Sequence, residues 1–134
     1  MSNKTQTIEH LVRELEERAK ELNCLYKIED TLNHSDISFD EAFSLVVDAI
    51  PPGWQFPDIT RVKLEYKGNT YTTEHFSESL WFQRADIKVN DEIVGHISVY
   101  YIKPVRDYDE GPFLKEERKL LNTISERLSH FMFS

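Results

Sequence analysis

The sequence predicts an α+β fold: an antiparallel sheet of about four strands, with an N-terminal and a C-terminal helix packed on one of its faces. Three observations carry this. Near both ends of the chain apolar residues recur every three or four positions, the period of a helix. Between positions 59 and 102 the period drops to two, that of a strand with one face in the core. The turns between those strands, Lys67-Gly68-Asn69 and Asn90-Asp91, are short enough to join antiparallel neighbours.

The first helix is expected over 7–33. Ile8, Leu11, Leu15, Leu22, Leu25 and Leu32 form a heptad-like seam whose gaps fall at Arg18 and Glu29, with Ala19 and Ile28 widening it into a face. At 1.5 Å per residue such a helix is roughly 40 Å long, more than a small domain needs to cover its own sheet. A second helix, 38–50, opens on Ser38-Phe39-Asp40-Glu41, where Ser38 can cap and Glu41 can reach back. Phe39, Phe43, Val46, Val47 and Ile50 mark its buried face, and Pro51-Pro52-Gly53 ends it. Trp54, Phe56 and Pro57 form a packed aromatic connection.

In the sheet region, Thr60, Val62, Leu64 and Tyr66 alternate with Arg61, Lys63 and Glu65. Trp81, Ala85, Ile87 and Val89 do the same against Arg84, Asp86 and Lys88, and Ile93, Ile97, Val99 and Tyr101 against His96, Ser98 and Tyr100. A short strand near Tyr71 lies between them. One face of the sheet is thus expected under the helices and the other mostly polar. The last helix, 112–132, follows Asp109-Glu110-Gly111-Pro112, with acids at its positive end, proline in its first turn, and Leu114, Leu121, Ile124, Leu128 and Phe131 along its seam.

A chain of 134 residues is the size of one domain, 1–134. Its formal net charge of -8 argues against nucleic-acid binding through phosphate neutralisation and against docking on anionic lipid. No apolar stretch reads as a signal peptide or a membrane span, which places the protein in the cytoplasm. Cys24 is alone and cannot form an intrachain disulfide; it reads as a buried helix residue. His10, His34, His75, His96 and His130 are scattered, and none has a second ligand at helical spacing, so no metal or other cofactor is expected. No Gly-rich nucleotide loop and no strained nucleophile elbow is present, which predicts a non-enzymatic protein.

Three segments carry a family resemblance: Glu21-Leu22-Asn23-Cys24-Leu25-Tyr26, Ile50-Pro51-Pro52-Gly53-Trp54-Gln55-Phe56-Pro57, and Asp109-Glu110-Gly111-Pro112-Phe113-Leu114-Lys115-Glu116-Glu117-Arg118. Together they resemble GAF-like sensor domains of the type found beside sensor histidine kinases and phosphoenolpyruvate-synthase-like proteins. The resemblance spans nearly the whole chain and implies a minimal GAF-like input or dimerisation module in signal transduction, with a histidine kinase or another signalling output domain as its partner. Larger GAF domains close a ligand pocket with inserted helices and loops; here only about His75 to Leu80 is available as a lid.

Two functions follow. In the first, the seams of the two end helices meet a second copy in a parallel helical bundle, a coiled-coil-like homodimer interface of Leu11, Leu15, Leu22, Leu121, Ile124 and Leu128 that relays a conformational signal. In the alternative, the polar sheet face binds a small molecule, an anion or an acidic partner through Arg61, Lys63, Arg84 and Lys88, which with Glu65 and Asp86 sum to +2 in an acidic chain.

Overall fold

The computed structural model describes residues 2–34 and 36–133. Among the described residues there are three α-helices, α1 (Ser2–Leu32), α2 (Phe39–Ala49) and α3 (Lys115–Phe133), and four strands, β1 (Thr60–Tyr66), β2 (Asn69–Thr72), β3 (Phe82–Val89) and β4 (Glu92–Tyr101). The strands form one antiparallel sheet in the order β2-β1-β4-β3. The fold is α+β, with helices at both ends of the chain.

Local chemistry explains most boundaries. The Ser38 hydroxyl accepts the Glu41 amide at 3.1 Å and so caps α2. Lys67 and Gly68 (φ 48° and 83°) join β1 to β2, and Asn90 and Asp91 (φ 53° and 65°) join β3 to β4; two residues with positive φ give a turn that matches strand twist. At the other end of the sheet, Glu110 and Phe113 exchange two backbone hydrogen bonds around Gly111 at φ 52°. This small hairpin holds Pro112 outside α3, which therefore starts at Lys115 rather than with the proline in its first turn. It also turns Phe113 inward to stack on Tyr101, ring centroids 4.7 Å apart.

The core lies between one sheet face and the helices: Val62, Leu64, Ile87, Ile97, Val99 and Tyr101 meet Phe43, Val46, Val47, Leu121, Ile124 and Leu128. Trp54 is fully buried, and its indole N–H donates to the side-chain oxygen of Gln83 at 2.8 Å, which explains why a polar residue stands at an inward position of β3. The helices do not contribute equally. α2 and α3 lie on the sheet, whereas α1 packs on α2, on the turn Pro51–Gly53 and on α3. Gly53 permits that approach, because a Cβ there would stand 2.8 Å from Cys24 Cβ. Burial pushes the Cys24 thiol up to about 12, so it stays protonated and unreactive.

Two expectations about the sheet are corrected. Ile93 is exposed, not inward, because a bulge after Ile87 pairs Lys88 with Ile93 but Ile87 with Gly95. The extra residue, Val94, reverses the alternation before it resumes at Gly95. Nor is the second sheet face uniformly wet. Ser98 and Tyr100 are buried where the segment between β2 and β3 crosses it, and Phe76 and Phe82 each place their rings 5.5 Å from that of Tyr100.

α3 is bound to the sheet twice over. Its apolar side enters the core, and its polar flank caps the edge of β3: Arg118 donates to the carbonyl of Arg84 at 2.8 Å, Ser125 to that of Asp86 and Ser129 to that of Lys88. These three outward carbonyls would otherwise form an open strand edge.

Candidate functional site

A helix packed on a globular body needs one apolar stripe; α1 has two. Cys24 and Ile28 face inward and are buried. Ile8, Val12, Leu15, Ala19, Leu22 and Tyr26 are all exposed, and their steps of four, three, four, three and four are those of an unbroken heptad seam. At about 100° per residue the middle of this stripe lies roughly 180° around the helix from the line through Cys24 and Ile28. Val12, Ala19 and Tyr26 thus complete the seam where sequence spacing led through Leu11, Arg18 and Leu25. Leu25 and Leu32 instead turn toward the body and pack against the core. Glu29, next in the repeat, is ion-paired to Arg127 of α3, and the apolar run stops there.

The predicted interface residues therefore divide. Leu11, Leu15 and Leu22 are 51%, 68% and 67% exposed, and they lie along one side of α1. Leu121, Ile124 and Leu128 are each 0% exposed and belong to the core of a single chain, which corrects their assignment to a surface seam. The physical reason is that α3 has only one apolar side. Its outer side presents Lys119, Asn122, Glu126, Arg127 and His130, and the sheet has already taken the leucines.

The predicted cationic face does not assemble a free charge cluster. Arg61 donates to the carbonyls of Asp58, Thr60 and His75. Lys63 is held by Glu78 and Glu65, and the Glu78 contact keeps its ammonium above the usual lysine range. Arg84 donates to Ser98 Oγ at 3.2 Å and lies over the ring of Phe82. Lys88 sits apart, at the bulge. Three of the four cations are thus already engaged with neighbouring acids, carbonyls or hydroxyls.

Sequence reasoning missed one buried charge. Glu117 is 1% exposed, at the third residue of α3. Its carboxylate accepts the Leu114 amide at 2.8 Å, reaching back over the helix start, and the Gln55 amide at 2.7 Å, which ties the turn after α2 to α3. The Tyr101 hydroxyl approaches at 3.4 Å. Desolvation outweighs these donors and pushes the carboxyl up to about 7. In the sequence Glu117 looks like any first-turn acid; only the alternation Glu117, Leu121, Ile124 places it on the buried side.

Because the folded state holds this proton more tightly than the unfolded chain, the linked stability is fully present below the usual glutamate range. It is lost as pH rises from about 4.5 through about 7. Urea titrations at pH 5 and pH 8 should differ by about 2–3 kcal/mol from this group, as expected for a carboxyl raised from about 4.5 to about 7. Glu117→Gln, uncharged throughout, should remove that difference; an equal slope in the variant would assign it elsewhere.

Among the described residues no helix is long and apolar enough to cross a membrane, and no group of three or more His, Cys, Asp or Glu is placed to hold a metal ion. The chain matches no protein-family model, and neither a curated protein nor a solved structure matches it.

Proposed function

We propose that this chain is a non-catalytic sensory and dimerisation module of signal transduction, in which two copies join through the outward face of α1. The observation that carries this reading is the second apolar stripe of α1, which the body of the protein leaves uncovered. Exposed apolar seams of this kind cost solubility unless a partner removes them from water. A second copy supplies the same seam, and self-complementary surfaces are what a twofold pair requires.

The resemblance to GAF-like sensor domains supports a role as an input unit beside a histidine kinase or another output domain, in the cytoplasm. α1 alone would form the interface, and α3 would act as the strut between the sheet and α1, through the Arg127 to Glu29 ion pair. A change at the sheet would reach the interface through α2 and α3, which lie between them.

Light scattering over a concentration series tests the assembly. The expected mass is twice the 15.8 kDa of one chain. Leu15→Asp with Leu22→Asp should halve it without loss of helical signal. A wild-type protein that stays at 15.8 kDa up to millimolar concentration would remove the dimer and leave the alternative, ligand binding at the sheet face.

A further inference from the structure

The side of α1 that faces the body changes character along the helix. His10, Glu17 and Cys24 follow one another at heptad spacing and so lie on one side. At Cys24 that side is buried against Gly53, whereas α1 is exposed from Lys4 to Glu16. There the helix stands off the body and forms one wall of a cleft of about 530 Å³. That volume is within the range of small-molecule sites, about 300–1,000 Å³. Gln55, Phe56, Arg106, Tyr108 and Leu114 form the other wall.

The second wall is built in advance. The Gln55 amide donates to Glu117 at 2.7 Å, and the Tyr108 amide to the Gly111 carbonyl at 2.7 Å. The Arg106 guanidinium lies over the Tyr108 ring, 4.8 Å from its centroid, and Phe56 packs edge-on against Tyr101 at 5.7 Å.

Many of the charges around the cleft are matched within α1: His10 contacts Glu14 at 3.2 Å, Glu17 contacts Lys20 at 3.2 Å, and Arg18 contacts Glu21 at 2.9 Å. Arg13, Arg106, Glu16 and Glu116 also line it, and among the described residues none of these four makes an ion pair; Glu116 attracts Arg18 only at longer range. The side-chain oxygen of Gln55 is shut off from solvent and accepts no hydrogen bond among the described residues. Half-buried Phe56, Tyr108 and Leu114 lie between these polar groups.

We propose that this cleft binds a small zwitterion with an apolar body, the chemistry of a free amino acid with an aromatic or branched aliphatic side chain. Its carboxylate sits between Arg13 and Arg106, its ammonium meets Glu116 and the Gln55 oxygen, and its side chain packs on Phe56, Tyr108 and Leu114. A simple anion would face the glutamates of the lining and a simple cation its arginines; a molecule carrying both signs suits both. No lining residue belongs to the exposed seam of α1 or to the outer face of the sheet. The site therefore stands without the self-association reading, and where that reading holds it places an input at the helix through which two copies join.

Calorimetric titration of the full chain with L-phenylalanine, and separately with L-leucine, tests the site. At least one should bind with a Kd of about 1 mM or tighter, ordinary for a ligand of this size. For L-phenylalanine, 3-phenylpropanoate, which lacks the ammonium, and phenethylamine, which lacks the carboxylate, should each bind about tenfold more weakly or worse. Arg13→Ala and Arg106→Ala, both at exposed positions, should weaken binding about tenfold with unchanged circular dichroism. The Leu15→Asp, Leu22→Asp double variant should bind as wild type does, which reads the site apart from the mass of the assembly. Absence of heat from both amino acids at millimolar concentration overturns the proposal and leaves self-association untouched. Equal binding of the zwitterion and its two half-molecules overturns it as well. So does binding that survives Arg106→Ala but is lost in Arg84→Ala, which would place the ligand on the outer sheet face.

Discussion

Replacing Gly95 with alanine is expected to destabilise the protein by about 4 kcal/mol or more, a large part of what a domain of this size has. Gly95 stands in β4 beside the bulge, paired with Tyr66 on one side and Ile87 on the other. A Cβ at this position would lie 2.0 Å from the carbonyl oxygen of Glu65 and 3.1 Å from its carbonyl carbon. Both are backbone atoms of the neighbouring strand, so no side chain can swing away; the strands would have to part. Gly68→Ala is the informative companion. Nothing lies within 4 Å of its missing Cβ, and only its φ of 83° opposes a side chain, so that variant should lose about 1 kcal/mol. Urea titration of both measures the contrast, and a Gly95→Ala protein within 1 kcal/mol of wild type would mean that β1 and β4 do not approach as described.

The second large effect separates the two end helices. Leu121→Ala should cost about 2–5 kcal/mol, as truncation of a fully buried leucine does, whereas Leu15→Ala should change the stability of the isolated fold by less than about 0.5 kcal/mol. Both are leucines on seams of similar spacing. Leu121 belongs to the buried core and its truncation leaves a cavity there; Leu15 leaves nothing behind but water. Thermal melts at a dilution where the protein is monomeric isolate this difference. Equal losses at the two positions would place Leu15 in the core of a single chain and remove the argument for an exposed seam.

Much of the fold was legible because local chemistry and tertiary structure agree. Ser38 caps α2, Lys67-Gly68 and Asn90-Asp91 make tight turns, and the alternation through β1 and β3 marks the buried side. Ile93 was misplaced because a single extra residue in β4 inverts the alternation, and nothing in Ile93-Val94-Gly95 announces which residue will be extra. The late start of α3 has a similar cause. Proline suits a first helical turn, but here the backbone pairing of Glu110 with Phe113 holds it in the hairpin.

For the candidate site, residue spacing was enough to show that both end helices carry apolar seams and that α1 is longer than its own sheet requires, because periodicity is a property of the residues alone. Which seam is spent depends on packing. Leu121, Ile124 and Leu128 meet the sheet, while Leu15 and Leu22 meet solvent, since a helix can bury only the side that another element approaches, and α1 is approached from the side of Cys24 and Ile28. The same holds for charge: Glu117 and Glu116 are neighbours in sequence, and burial against the body makes Glu117 an acid that resists ionisation even though Gln55 and Tyr101 donate to it.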